Sequence, residues 1–472
     1  MRRLWPLAVV ALTLGLAAGC AKVRGVLEPN RPPETTLWVN GPLDTVSHTQ
    51  RFFWDGEDPD GSVDHFEFRW VYAPGAAPAG YDSTLWNATP YRDSLFTVYS
   101  PNGVDYPTLV VRAVDNLGAP DPTPARQSFV FSNAAPTVRF SSTPPDTTLP
   151  VATFAWIASD PDGDIGKAVY RVWLDGAEDR ATTSTGTSVT LTPVNFQNGL
   201  GVVEARQRKA YVVAIDDGGR ASLPDSFTWS IRLPVGTTLL VDDMPSSVPG
   251  ASVSDGFYRT ELNNRLGAGN YTIIDLQAKN PFRSEGDVRE NFRLFHNVFW
   301  YSEQNPGLSA VLRIAGDPIR TYLSGGGNLF LTSSRLVGTN GALDDAFAQD
   351  VLGIADFRFN QTNQTTNFTL ASGQFAVGNG APFDSLLATG IYSGIESFVL
   401  ASAADAAYVA PEGTLDTLHV GDWPIGVNRT YGVGNGRIVY LPFPLRGMNA
   451  PFSGHPGRSA AELQKVFTLF GM

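Results

Sequence analysis

Short runs in which every second residue is apolar dominate the first half of the chain. Phe52 and Trp54 alternate with polar or small neighbours, as do Phe66, Phe68 and Trp70, and Val110, Arg112 and Val114 interleave with Val111 and Ala113. Period-two runs bounded by Gly, Pro, Asn and Asp predict short antiparallel strands. Between the first two runs lies Asp58-Pro59-Asp60-Gly61, a turn in which Pro presets φ and Gly accepts a positive one. The same arrangement recurs. Phe154, Trp156 and Asp160-Pro161-Asp162-Gly163 follow Phe52, Trp54 and the first turn at an offset of 102, and Tyr211 to Asp216 matches Leu109 to Asp115. A repeat of about 100 residues is the size of a β-sandwich and far longer than a solenoid repeat. Trp54 and Trp156 hold equivalent places in the two copies. Each is expected to lie in a core between two sheets; a sugar-stacking platform is the alternative.

From Thr237 the pattern changes. Thr238 to Val241 is continuously apolar and stops at Asp242-Asp243. Ser254 to Leu266 predicts a helix with Phe257, Leu262 and Leu266 on one face and Ser254 as N-cap. Strands are predicted at Tyr271–Leu276, Asn297–Tyr301, Asn328–Thr332 and Gly436–Leu441, with helices at about 308–323 and 460–470. Apolar strands alternating with helices predict a parallel sheet covered on both faces. Gly325-Gly326-Gly327 precedes a strand, so it reads as a helix stop, since a phosphate loop follows a strand and opens a helix. The stretch 357–422 reads as a long insertion, with strands at Phe398–Leu400 and Ala407–Val409.

Composition agrees and narrows the function classes. Of 472 residues 43% are hydrophobic and 17% charged, which is ordinary for a globular chain; Gly 47 and Pro 34 suit many tight turns. The formal net charge of −12 argues against nucleic acid as a partner, because phosphate binding needs a basic footprint. A single cysteine excludes an intramolecular disulfide framework, a cysteine zinc site and an iron–sulfur cluster.

That cysteine ends a distinctive leader. Arg2 and Arg3 precede an apolar run, Leu4 to Leu16, too short for a secure membrane span, and Leu16-Ala17-Ala18-Gly19-Cys20 closes it. The segment resembles the signal peptide and lipobox of bacterial lipoproteins. The resemblance implies lipidation of Cys20, cleavage just before it so that Cys20 becomes the mature N-terminus and, with Ala21 next, an outer-membrane destination, leaving open whether the body faces the periplasm or the outside. Each buried lipid methylene contributes about 0.8 kcal/mol, so several acyl chains hold a soluble body on a bilayer. Residues 21–33, with Pro29, Pro32 and Pro33, read as a tether.

The expected organisation is therefore a leader (1–20), a tether (21–33), two all-β sandwich modules (34–134 and 135–234) and an α/β domain (237–472). The Trp-x-x-x-Asp-Pro-Asp-Gly pattern with its aromatic strand resembles bacterial fibronectin type III and related Ig-like modules. Leu239-Leu240-Val241-Asp242-Asp243, Val298 to Tyr301, Tyr322 to Leu331 and Val439 to Leu445 resemble the flavodoxin-like domain of class I glutamine amidotransferases, in a degenerate form. That family uses a cysteine nucleophile at a strand-to-helix elbow. Cys20 is taken by lipid, so the resemblance implies a domain without glutaminase activity.

Three functional readings remain. The first is a non-catalytic binding or scaffolding protein of the envelope, held to the membrane by lipid and recognising protein or glycan. The second is a hydrolase on glycans or peptides, with Ser333 or Ser334 as nucleophile, His455 as base, and Asp242, Asp243 or Glu303 as supporting carboxylates at the sheet's carboxyl edge. No Gly-x-Ser-x-Gly elbow supports it. A metal held by Asp242, Asp243 and His455 is a weaker variant. The third is an adhesin stiffened by Ca2+, for which Asp58, Asp60, Asp160, Asp162 and Asp164 supply oxygen ligands at short spacing. The alternative for those aspartates is a turn in which they cap their own backbone. No cofactor other than this Ca2+ is expected.

Overall fold

A computed structural model of the chain describes residues 29–40, 46–163, 165–303, 309–361, 364–416, 420–450 and 457–472. The leader, the tether as far as residue 28, Asp164, His419 and His455 lie outside the described residues, Cys20 with them. No helix among the described residues is long and apolar enough to cross a membrane. The chain forms two compact units. One holds the described residues through Pro136 with Asp160–Lys167 and Ile215–Ala221; the other holds Thr137–Ser159, Ala168–Ala214 and Ser222–Met472.

The first unit is a β-sandwich. Strand Thr49–Glu57 pairs antiparallel with Glu34–Val39 and Asp93–Thr97, and Val63–Val71 pairs with Asn87–Thr89 and Thr108–Asp115. Alternation turns Phe52, Trp54, Phe66, Trp70, Leu109, Val111 and Ala113 inward to one core. Trp54 is fully buried and its indole N–H donates to the Tyr91 carbonyl at 2.9 Å, which is the core role expected of it. Edge-to-face contacts of Phe52 with Trp70 and Phe129 fill the interior.

The second unit opens with a sandwich on the same plan. Thr137–Ser142, Ala152–Ser159 and Ser188–Leu191 form one sheet, and Asp225–Ile231, Gln207–Ile215, Val169–Leu174 and Thr182–Ser184 belong to the other. Trp156 is 1% exposed, again in the core.

The remainder of this unit is built on a six-stranded mixed sheet. Its strands are β1 (Thr238–Asp242), β2 (Thr272–Asp275), β3 (Asn297–Glu303), β4 (Asn328–Ser333), β5 (Val427–Tyr431) and β6 (Gly436–Leu441), in the order β2-β1-β3-β4-β6-β5. All neighbours run parallel except the edge pair β5–β6. The helices are α1 (Ala251–Leu266), α2 (Glu285–Phe292), α3 (Ala310–Arg313), α4 (Gly316–Ser324), α5 (Asp345–Asp350) and α6 (Ser459–Leu469). Because successive residues point to opposite faces, continuous apolar strands feed two cores. Val241, Trp300 and Leu331 pack with α2, α3, α4 and α5, whereas Leu240, Tyr301 and Phe330 pack with α1, α6 and the insertion.

Two helix expectations need correcting. The first helix begins at Ala251 behind Gly250, and Ser254 lies inside its first turn, where it is recruited by a tertiary contact described below. The predicted helix at 308–323 is two helices, α3 and α4, separated at Ile314–Ala315. The glycine run after α4 is a helix stop, as read. A Cβ on Gly327 would lie 2.3 Å from the Tyr322 ring, which itself donates to the His296 carbonyl at 2.7 Å. The described part of the insertion is mainly β, with one 3-10 turn at Ala403–Asp405: Asn367–Leu370 pairs with Tyr392–Glu396, Ile354–Phe357 with Phe398–Leu400, and Tyr408–Ala410 joins Phe375–Gly378 and Trp423–Pro424.

Candidate functional site

The carboxyl edge of the sheet gathers Asp242, Asp243, Glu303, Ser333 and Ser334 at the ends of β1, β3 and β4, all of them at least nine-tenths buried. Strand alternation then separates their side chains. Asp243 accepts the Trp300 indole N–H at 3.0 Å, on the α2 side of the sheet. Burial pushes its carboxyl up to about 7, against hydrogen bonds from Ser309 and Trp300 that favour the charged form. Glu303 turns to the α1 side. Its Oε2 accepts the Ser254 hydroxyl at 2.6 Å and Arg446 Nε at 3.2 Å, and burial raises its carboxyl although Arg446 opposes the shift. Glu303 holds a left-handed backbone with φ 41°, an uncommon state for a residue with a side chain. The Ser254–Glu303–Arg446 cluster was not legible in the sequence, because its members are up to 192 residues apart.

Asp242 accepts the backbone N–H of Met244 at 3.1 Å, and desolvation raises its carboxyl. With Asp255, Asp275 and Arg259 it lines an open pocket of about 410 Å³ beside the start of α1. Arg259 is paired with Asp255, four residues earlier on the same helix.

Ser333 does not meet any of these carboxylates through its hydroxyl, which donates to the Ser334 carbonyl at 3.3 Å. Ser334 approaches Glu303 only through the backbone, its N–H reaching the Glu303 carbonyl at 2.8 Å. The chain then turns sharply, with Arg335 at φ 54°. Past that turn the backbone N–H groups of Leu336 and Val337 converge, as donors do in an oxyanion-binding turn. They are already taken. The carboxylate of Glu396, from the insertion, accepts them at 3.0 and 2.9 Å and also accepts the Tyr440 hydroxyl. Glu396 is fully buried, and desolvation pushes its carboxyl up to about 8.

The aspartates of the two Asp-Pro-Asp-Gly turns share one further arrangement, within the first unit. Asp58 Oδ1 accepts the Asp60 N–H at 3.3 Å and Asp160 Oδ1 accepts the Asp162 N–H at 3.3 Å, so the first aspartate closes the turn. The second aspartate captures the chain entering the module: Asp60 accepts the Arg31 N–H at 3.1 Å, and Asp162 the Ala134 N–H at 3.0 Å. Just before these, the Asn30 amide donates to Asp115 at 2.6 Å and the Asn133 amide to Asp216 at 3.2 Å. An Asn-x-x-Pro entry (Asn30 to Pro33, Asn133 to Pro136) is thus clamped twice in each copy. The sequence carries this signal as two Asn-x-x-Pro segments at an offset of 103. His48, fully buried, adds a 2.9 Å contact from Nε2 to Asp217. Among the described residues no group of three or more His, Cys, Asp or Glu side chains is placed to hold a metal ion.

No family model matches the chain, and no curated protein matches it. Solved structures similar to it include the fibronectin(III)-like modules of Clostridium thermocellum CbhA, at 17% identity over 42% of this chain and 95% of that one, with a TM-score of 0.20. The FN1–FN3 domains of chicken CNTN1 match at 14% identity over 44% and 68%, with a TM-score of 0.19. Dimeric latent PorU from Porphyromonas gingivalis matches at 14% over 43% and 20%, with a TM-score of 0.16.

Proposed function

We propose that this chain is a non-catalytic lipoprotein of the bacterial outer membrane, in which two sandwich modules act as spacers and the C-terminal α/β domain is a recognition platform for protein or glycan. The observation that carries the reading is the occupation of the Leu336 and Val337 donors by Glu396. A hydrolase working at this edge needs those donors free to receive a developing oxyanion. Here an internal carboxylate fills the position, is held by Tyr440, and is covered by the insertion.

The platform is read as a degenerate amidotransferase-like domain with flavodoxin-like architecture. Its support is the strand order β2-β1-β3-β4-β6 with parallel pairing, and a backbone turn at Arg335 where such a domain carries its nucleophile. The lone cysteine at position 20 supports the lipid anchor. The test has two arms. Radiolabelled palmitate is expected to enter the protein expressed in a bacterial host and to be lost in Cys20→Ala, while a fluorophosphonate probe leaves the purified protein unlabelled. Labelling at Ser333 or Ser334 overturns the non-catalytic reading, and palmitate retained in Cys20→Ala overturns the anchor.

A further inference from the structure

The second sandwich contains a basic pocket that neither the spacer role nor the overall charge anticipates. It is a recess of about 360 Å³ between strand Val169–Leu174 and the segment following Leu191. Arg180, Arg206 and Arg208 line it together with one carboxylate, Asp175, a local excess of two positive charges in a chain of net charge −12.

Asp175 is fully committed. Its Oδ1 accepts the Lys209 N–H at 2.9 Å, and its Oδ2 serves Arg206 Nη2 at 2.9 Å while lying 2.9 Å from Arg208 Nε. That second approach is off the N–H direction, so Arg208 Nε is buried without a hydrogen bond. Arg208 is only 4% exposed, and its guanidinium packs over Phe196 at 5.5 Å. Burial weakens its hold on the proton, and the neighbouring arginines add to that strain while Asp175 opposes it. Arg180 stands at the exposed rim, with one donor on the Gln197 carbonyl at 3.3 Å. Of the carboxylates beyond the lining, Glu204 lies 4.0 Å from Arg206 Nε, and Glu178, paired with Arg171, and Asp179 share the 3-10 turn of Arg180. A buried guanidinium whose Nε makes no hydrogen bond, with two further arginines lining the same recess, leaves more cationic donors here than the one lining carboxylate, Asp175, can match. Val172, Leu174 and Val194 give the recess an apolar wall.

We infer that this pocket binds a small ligand bearing an oxyanion, a carboxylate or a phosphate, with the charged group seated between Arg208 and the rim arginines and an apolar or hydroxylated body against the wall. Guanidinium forks match both anions geometrically. The site lies in the second sandwich and does not rest on the reading of the α/β domain.

Calorimetric titration of the purified protein with glucuronate, glucose 6-phosphate and glucose tests it. At least one anion is expected to bind with a millimolar or tighter constant, at least tenfold more tightly than glucose, and to weaken as NaCl rises. Glucuronate alone assigns a carboxylate ligand and glucose 6-phosphate alone a phosphate. Arg180→Gln and Arg206→Gln should each weaken the bound anion at least fivefold, and Arg208→Met should abolish it. Because Arg208→Met removes a buried group, the two rim variants carry the test if it does not fold. No binding of either anion at 10 mM, equal binding of glucose, or unchanged affinity in both rim variants overturns the proposal.

Discussion

Glu396 reaches from the insertion to within 2.9 Å of the Val337 backbone nitrogen and occupies the turn that follows the central strand β4. The contact joins residues 59 apart in sequence, and with the Leu336 N–H at 3.0 Å it closes two adjacent backbone donors on one buried carboxyl group.

The titration of Glu396 makes that contact measurable. Its carboxyl is raised from 4.5 to about 8 in the folded state. The folded protein therefore binds more protons than the unfolded chain between those values. The stabilising contribution is full below about pH 4.5 and is lost as pH rises through 8. Glu396→Gln keeps one acceptor but sets an amide NH2 against a backbone N–H, so at pH 5 it should cost about 1–3 kcal/mol. That deficit should shrink toward pH 9, where the wild type carries a buried charge. Urea midpoints of both proteins from pH 5 to 9 check the narrowing; parallel curves would refute it.

Asp243 adds a second slope of the same sign. Its carboxyl lies at about 7, so its contribution falls as pH rises from about 4 to 7. Asp243→Asn should flatten stability across that window while retaining an acceptor for Trp300. With ten tryptophans in the chain, the emission lost on Trp300→Phe, compared in the wild-type and Asp243→Asn backgrounds, reports whether the indole environment is kept.

Ser333 donates only to a neighbouring carbonyl. Ser333→Ala should change stability by no more than about 1 kcal/mol and leave any ligand capture by the intact protein unchanged. A loss of capture without a loss of stability would return Ser333 to the functional residues.

In the second unit a buried carboxylate helps fasten the sandwich to the α/β domain, beside the Arg232 contact to the Ile273 carbonyl at 2.6 Å. The Thr153 hydroxyl donates to Asp287 at 2.7 Å, and Asp287 also accepts the Arg283 and Ser284 N–H groups at the start of α2. Gly286 lies so close that a Cβ would stand 2.5 Å from the Thr190 hydroxyl. Asp287→Ala should cost about 1–3 kcal/mol by stranding these donors, and Gly286→Val should force the surfaces apart. Calorimetry should then show a broadened or split melting transition; a single unshifted transition would argue that the junction contributes nothing.

The paired clamps on Asn30 and Asn133 predict matching behaviour in the two modules. Asn30→Ala and Asn133→Ala should each raise proteolysis at the adjoining Asn-x-x-Pro segment. If the turn aspartates act only as clamps, 5 mM Ca2+ should not protect either variant. Protection by Ca2+ would show that the turns also take the ion.

The sandwich architecture was legible in the residues themselves. Alternation around Phe52, Trp54, Phe154 and Trp156 depends on local backbone geometry, and a two-residue period survives any packing. The α/β half was legible for the same reason: runs such as Leu239 to Val241 have no polar face and must be covered on both sides. Local signals failed at Ser254, whose capping preference was outweighed by the buried carboxylate of Glu303, and at 308–323, where two short helices satisfy the same apolar positions as one long one. The candidate site was decided by tertiary structure. Ser333, Asp243 and Glu303 end neighbouring strands, but alternation sends Asp243 and Glu303 to opposite faces and the Ser333 hydroxyl to its own backbone. Glu396 and Arg208 carry no local signature at all. Their roles arise because folding places one beside two unshared N–H groups and buries the other beside a carboxylate already in use, and desolvation makes both contacts matter.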